Sequence, residues 1–174
     1  MKIRYSILPL LAALFAAGCQ KEPASKSSTS STSSAPPSSS APAAKAPAAA
    51  RVIEITSNDQ MKFSVTRIDA KVGEEIKVVL TNGGQLPKEA MGHNFVLLKP
   101  GTDINAFSVA AMTAREKDYI PDSMKDQIIA HTKLLGPRQS DEVTFKVTAA
   151  GEYPFVCSFP AHAMAGMKGV LVVQ

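Results

Sequence analysis

The sequence contains only two cysteines and three histidines among its 174 residues. The cysteines, Cys19 and Cys157, allow at most one disulfide, and none at all if Cys19 is modified at the end of an N-terminal leader. An unpaired thiol in an exported protein is a liability unless another group occupies it. Cys157 is therefore the first residue whose chemistry needs an explanation.

The greater part of the chain also lacks an excess of either charge. Residues 51–174 carry 14 Lys and Arg side chains against 14 Asp and Glu side chains, so the net charge of +4 comes from the first 50 residues. No basic stripe is present that could follow a phosphate backbone. Nucleic acid is therefore not expected as a partner.

The chain begins with a segment that is typical of an export signal. Two basic residues precede an apolar run over residues 7–17, which is too short to span a bilayer. The run ends in small residues directly before Cys19, and this resembles a bacterial lipoprotein signal. We expect residues 1–18 to be a signal peptide and Cys19 to carry lipid. An ordinary cleaved leader with a cysteine nearby is the alternative.

A low-complexity segment follows the leader over residues 19–50. From Ala24 to Ala50 it contains only Ala, Ser, Pro, Thr and two lysines, which offer no large apolar side chain to offset the entropy of ordering. As a flexible coil, roughly 31 residues span about 30 Å. We expect this tether to let the domain reach away from a membrane surface. Gln20 fits sorting to the outer membrane, with the domain in the periplasm or at the cell surface.

Residues 51–174 have the length of one domain. Apolar and polar residues alternate with a period of two, which indicates strands, and turn residues separate the alternating segments. The strand-like segments are 61–65, 76–80, 93–98, 128–132, 143–147 and 169–173. Many short strands separated by turn residues favour an all-β sandwich or barrel. One short helix is expected over Asn105–Lys117.

The most informative segment joins the last two predicted strands. A strand ends on Cys157, His162 follows five residues later in a loop stiffened by Pro160, and Met167 comes five residues after His162. One loop can therefore present a thiolate, an imidazole and a thioether to a single point. A second imidazole comes from His93, at the start of a strand that a glycine precedes.

These side chains select copper by their softness. Two imidazoles and a thiolate in a trigonal plane, with a weak axial thioether, describe a blue-copper electron-transfer site. Structural zinc takes four strong ligands, and catalytic zinc takes three together with water. The sequence therefore predicts one copper that cycles between Cu(II) and Cu(I), held by His93, Cys157, His162 and Met167. Three histidines in one domain exclude the additional copper sites of multicopper oxidases.

Other interpretations use some of the same residues. Met164 competes with Met167, but it lies only two residues past His162 and would have to fold back sharply. His131 lies in a predicted strand and is not expected to bind metal. A Cys157 nucleophile activated by histidine would make an enzyme, but the sequence supplies no obvious orienting carboxylate near His162, so no enzyme activity is expected. A copper carrier or buffer without an electron-transfer role stays open as the alternative function.

Several motifs together resemble azurin, a blue-copper protein of the cupredoxin family. They are Asn58-Asp-Gln-Met-Lys-Phe63, Leu86-Pro-Lys-Glu-Ala-Met-Gly-His-Asn94, Lys117-Asp-Tyr119, Ile129-Ala-His-Thr-Lys-Leu134 and Cys157-Ser-Phe-Pro-Ala-His162. The resemblance covers residues 52–174. It implies an eight-stranded Greek-key cupredoxin domain with a short helical flap, which carries one electron at a time between small redox proteins.

The resemblance also implies roles for individual residues. His93, Cys157 and His162 match the equatorial copper ligands of azurin, and the carbonyl of Gly92 matches its weak axial oxygen. Asn94 matches a residue that hydrogen-bonds near the thiolate and tunes it. The loop from the second ligand histidine to the methionine is one residue longer than in azurin, and in this it resembles auracyanins and plastocyanins.

The resemblance further implies an apolar docking patch around His162. Its residues are Leu86, Met91, Phe159, Pro160 and Ala161. The implied partners are small redox proteins such as c-type cytochromes or copper- and haem-containing reductases, while lipid on Cys19 contacts the membrane. Asn82 stands where azurin often carries a titrating histidine, so the pH coupling of azurin does not carry over to this chain.

Overall fold

The computed structural model describes residues 50–174. The predicted leader, Cys19 and all of the predicted tether except Ala50 lie outside the described residues. Within the described part, no helix has the length and apolar character needed to cross a membrane. The predicted domain at 51–174 lies entirely inside it.

Short strands dominate the described residues. In chain order the strands are β1 (Arg51–Asn58), β2 (Lys62–Phe63), β3 (Arg67–Ala70), β4 (Glu75–Asn82), β5 (Val96–Leu98), β6 (Ile128–His131), β7 (Ser140–Lys146), β8 (Gly151–Val156) and β9 (Lys168–Val173). The helices are α1 (Lys88–Met91) and α2 (Ile104–Met112), and 3-10 turns occupy Arg115–Lys117 and Asp122–Gln127.

The strands form two sheets, with the orders β2-β1-β4-β7 and β3-β9-β8-β5-β6. The pairs β1–β4 and β3–β9 are parallel, and the other neighbours are antiparallel. This arrangement of two sheets confirms the predicted all-β sandwich. Residues 50–174 contain nine strand segments where eight strands were expected. The predicted segment 61–65 is a strand only over the two residues of β2, because the chain turns at Met61 (φ 55°) before it pairs back on the end of β1. The strands β1 and β3 were not among the segments predicted from the alternation.

The hydrophobic core lies between the two sheets. In β4, Ile76, Val78 and Leu80 are buried, while most of the residues between them are partly exposed, as the period of a strand requires. Phe155 and Leu171 of the other sheet belong to the same buried cluster. Removing each such side chain from water contributes roughly 1.5–3 kcal/mol. This packing holds in place the strand ends that carry the predicted metal ligands.

The predicted helix over Asn105–Lys117 is shorter in the structure. α2 begins after Asp103, whose carboxylate accepts hydrogen bonds from the backbone N–H groups two and three residues later. It ends at Met112, where the hydroxyl of Thr113 donates to the carbonyl three residues before it. Such local side-chain bonds compete with continued helix. Residues 115–117 form a separate 3-10 turn.

Candidate metal centre

The loop between β8 and β9 carries three of the predicted ligands. Cys157 directly follows β8, and Met167 directly precedes β9. The two ends of the loop are paired, because the Cys157 N–H donates to the Met167 carbonyl over 3.1 Å. The Met167 N–H in turn donates to the His162 carbonyl over 2.9 Å. The backbone therefore fixes the spacing of all three residues.

The interior of this loop is equally constrained. The Ala165 N–H donates to the Ala161 carbonyl over 2.9 Å, and the Gly166 N–H donates to the Ala163 carbonyl over 3.1 Å. Ala161 has a left-handed backbone (φ 69°), which costs a residue with a Cβ about 1–3 kcal/mol. Such a conformation persists only where the surroundings over-determine it. The loop is therefore held in one conformation by its own hydrogen bonds.

His93 reaches the same point from the other side of the site. It lies before β5 in an isolated bridge, so the strand predicted from residue 93 begins only at Val96. Its N–H donates to the Leu135 carbonyl over 3.1 Å, and its carbonyl accepts from the Leu135 N–H over 2.8 Å. A Cβ on Gly92 would lie 2.7 Å from the carbonyl oxygen of Lys88, so only glycine fits before His93.

Three donor atoms converge where these segments meet. The Cys157 Sγ lies 3.5 Å from the His162 Nδ1 and 4.0 Å from the His93 Nδ1. Within residues 50–174, these three side chains form the one group of His, Cys, Asp or Glu whose donor atoms all lie within 4.8 Å of one another. All three are buried. Polar atoms gathered away from water require a compensating partner, and a thiolate with two imidazoles suits copper.

The two candidate axial methionines have opposite environments. Met167 is fully buried in the cluster that contains Cys157, whereas the Met164 side chain is 63% exposed. This placement favours Met167 over Met164. The Gly92 carbonyl oxygen lies 4.0 Å from the Cys157 Sγ, which places it beside the donor group. Its role as a weak axial ligand stays a prediction. His131 is exposed on β6 and does not belong to the group.

Asn94 supports the Cys157 thiolate through hydrogen bonds to Ser158, the residue that follows Cys157. Its Oδ1 accepts from the Ser158 N–H over 2.8 Å, and its Nδ2 donates to the Ser158 Oγ over 2.7 Å and to the Asp118 carbonyl over 3.2 Å. The backbone N–H groups of Asn94 and Phe159 also favour the thiolate form of Cys157. The sequence indicated Asn94 through the resemblance. Ser158 and Asp118 lie in two of the motifs that resemble azurin, but the sequence indicates no role for them, because no local signal marks contacts 64 and 24 residues apart.

Aromatic packing fixes the ring of His162. The Phe159 ring centroid lies 4.6 Å from that of His162, and the Tyr119 ring meets Phe159 edge-on at 5.0 Å. The Nδ1 of His162 faces Cys157, so its Nε2 edge points away from the donor group. Leu86 is 45% exposed and Ala161 is also exposed, whereas Phe159 is buried against the His162 ring.

Known proteins with similar sequences and structures identify the family. Residues 49–174 match the family of copper-binding proteins described as plastocyanin/azurin. The chain belongs to this family. Azurin from Pseudomonas chlororaphis is 40% identical over 127 residues, which cover 70% of this chain and 97% of that protein. Azurin from Pseudomonas aeruginosa is 39% identical over 127 residues, 70% of this chain and 84% of that protein.

A solved structure extends the likeness to the fold. Dithionite-reduced auracyanin from Roseiflexus castenholzii superposes with a TM-score of 0.64 at 35% identity, and the match covers 72% of this chain and 98% of auracyanin. The donor group and the family together establish a blue-copper electron carrier that holds one copper per chain. Copper supplies a one-electron couple between Cu(II) and Cu(I) when bound.

Burial sets the protonation of the metal-free donor group. It raises the pKa of the Cys157 thiol to about 12, although the backbone N–H groups of Asn94 and Phe159 act to lower this pKa. It lowers the pKa of His162 to about 4, with the neighbouring His93 as the second cause, and it also lowers the pKa of His93. At pH 7 the thiol therefore keeps its proton and both imidazoles are neutral.

Copper binding should therefore release one proton near neutral pH. The thiol must lose its proton to bind metal, whereas the neutral imidazoles have none to lose. Isothermal titration of Cu(II) into the metal-free protein at pH 7, in buffers of different ionisation enthalpy, measures this number. The apparent affinity should rise about tenfold per pH unit from about pH 7 to 9. Release of no proton, or of two, would contradict the assigned protonation states.

Met167→Leu should raise the reduction potential of the copper and leave the protein blue. Loss of a weak axial donor disfavours Cu(II) more than Cu(I). A tenfold change in the relative affinity for the two ions corresponds to about 59 mV for one electron, and we expect a rise of at least this order. Met164→Leu is the matched control, because it removes a thioether from the exposed side of the same loop. A larger effect at Met164 would reverse the assignment. Spectroelectrochemical titration of both variants provides the comparison.

Proposed function

We propose that this protein carries single electrons between exported redox proteins while lipid on Cys19 holds it at a bacterial membrane. The observation that supports electron transfer is the network of backbone hydrogen bonds around the donor group. These bonds tie His93 to Leu135 and Cys157 to Met167 without engaging the donor atoms themselves. A scaffold of this kind keeps the ligand geometry similar in both oxidation states, and fast electron transfer requires that similarity.

A copper buffer is the weaker alternative. A protein that hands copper to a partner needs its ligands within reach of the partner's ligands. Here the Cys157 and His93 side chains have no exposed surface, and His162 has 2%. Release of copper would therefore require the loop between β8 and β9 to open, which breaks the hydrogen bonds that close it. An electron, in contrast, can pass through the buried ligands while the loop stays closed.

Hydrolytic chemistry at Cys157 is also disfavoured. A cysteine nucleophile needs a lowered pKa and a histidine that a third group orients. Burial instead raises the pKa of Cys157 to about 12. No Asp or Glu belongs to the described donor group. We therefore propose no enzymatic reaction for this chain.

We propose that partners dock on the apolar patch around His162, so that the electron leaves through this ring. Leu86 and Ala161 of this patch are exposed, and Met164, three residues after Ala161 in the same loop, is a further exposed and flexible apolar side chain. The Nε2 edge of His162 points away from Cys157, and this gives a short path to a haem edge pressed against the patch. Small c-type cytochromes and copper- or haem-containing reductases fit this description.

Leu86→Lys should slow electron exchange with a soluble c-type cytochrome at least tenfold, because the apolar contact would then bury an unpaired charge. Val72→Lys is the matched control. Val72 is 49% exposed, against 45% for Leu86, but it lies beside Gln174, at the opposite end of β9 from the copper loop. Stopped-flow rates, with the potentials of both variants measured, separate docking from redox tuning. If both lysine substitutions slowed electron exchange equally, the proposed docking surface would be contradicted.

We propose membrane attachment through Cys19, supported by the small residues before it and the low-complexity tether after it. Expressed with its leader in a bacterium that processes lipoproteins, the wild-type protein should fractionate with membranes. Cys19→Ala should release or mislocalise it. Wild-type protein that is soluble with an unmodified Cys19 would reject the anchor and leave the copper assignment intact.

A further inference from the structure

Asn82 is a fully buried polar residue at the end of β4. It is neither a copper ligand nor part of the docking patch. Its side-chain Nδ2 donates to the Leu135 carbonyl over 3.3 Å, and its Oδ1 accepts from the Gly84 N–H over 2.9 Å. The backbone N–H donates to the Gln139 carbonyl, and the backbone carbonyl accepts from the Arg138 N–H. Asn82 thus connects the end of β4 to the 135–139 segment through three hydrogen bonds, and its fourth hydrogen bond is with Gly84.

The Leu135 carbonyl is the point where Asn82 meets the metal centre. This oxygen accepts from the Asn82 Nδ2 and also from the N–H of His93, at 3.1 Å. The Leu135 N–H returns a hydrogen bond of 2.8 Å to the His93 carbonyl. A carbonyl oxygen has two lone pairs, and here a ligand backbone uses one while the Asn82 amide uses the other. The path from Asn82 to His93 therefore consists of two hydrogen bonds through one shared atom.

The orientation of the Asn82 amide is fixed by its two partners. The Gly84 N–H requires an acceptor, and the Leu135 carbonyl requires a donor. A flipped amide would place oxygen against oxygen and N–H against N–H. Because the site is buried, either mismatch would cost about 1–3 kcal/mol. Asn82 therefore holds the Leu135 carbonyl in one direction.

We propose that Asn82 is a positioning residue for the copper ligand His93 and acts through the shared Leu135 carbonyl. The imidazole of His93 is directed by its backbone, which the Leu135 bridge places. Without the amide donor, the carbonyl keeps only its bond to His93 and is free to tilt toward another donor. The His93 ring would then move relative to the Cys157 Sγ, which lies 4.0 Å from its Nδ1.

Asn82→Leu tests this role, because it keeps the branched shape of the side chain and removes both side-chain hydrogen bonds. We expect the copper hyperfine splitting and the visible band ratio of the Cu(II) protein to change. We also expect hydrogen exchange of the His93 amide in the Cu(I) protein to speed up at least tenfold relative to amides in β8. A merely structural residue would lower stability without moving these local readouts.

Ser57→Ala is the matched control. Ser57 is paired with Asn82 across β1 and β4, is also buried, and its hydroxyl has no hydrogen-bond partner. It should leave the Cu(II) spectra and the His93 exchange unchanged. A folded Asn82→Leu protein with wild-type hyperfine splitting and wild-type His93 exchange would overturn the proposal.

A measurement on the wild type keeps the proposal testable if Asn82→Leu fails to fold. The side-chain NH₂ protons of Asn82 in the Cu(I) protein should exchange slowly, with protection within about tenfold of that of the His93 amide. Rapid exchange of these protons, comparable to an exposed asparagine, would show that the amide does not hold the Leu135 carbonyl, and would overturn the proposal without any variant.

Discussion

The structure depends on keeping one sulfur and two ring nitrogens within 4.8 Å of one another and away from water. Burial disfavours the charged form of each of these donors. It holds the thiol pKa near 12 and lowers the pKa values of both imidazoles. The gathered donors are therefore neutral at pH 7 in the metal-free protein. Cu(II) provides the positive charge that makes a buried thiolate favourable.

The scaffold meets this constraint with backbone bonds. A pair of bonds joins Leu135 to His93, and a single bond from the Cys157 N–H to the Met167 carbonyl joins the first and last residues of the copper loop. Asn94 adds a side-chain bridge to Ser158, next to the thiolate. None of these bonds uses a ligand donor atom. The positions of the ligands thus depend on strand pairing and core packing. A change in the charge of the metal should therefore move the ligands little.

The sequence alone predicted the parts of the site that lie close together in the chain. The spacing from Cys157 to His162 and Met167 is a local pattern, and softness of the ligands pointed to copper. His93 lies 64 residues before Cys157, so it depended on a glycine before a strand and on the resemblance. The bridge from Asn82 to Leu135 spans 53 residues and has no local signature. The early end of α2 has a local cause instead, the hydrogen bond from the Thr113 hydroxyl to the Ala110 carbonyl. The predicted segment 61–65 keeps only the two residues of β2 because the chain turns at Met61.

The Cys157 thiolate and the two imidazoles of His93 and His162 would together hold one copper. The most direct test is to add Cu(II) to the metal-free wild-type protein and to Cys157→Ser, and to record metal content, visible absorption and electron paramagnetic resonance. The wild type should bind one copper per chain and show intense blue absorption with a small copper hyperfine splitting. Cys157→Ser should stay folded and lose the colour. A pale wild-type protein with a large splitting, or strong blue absorption retained by Cys157→Ser, would contradict the account.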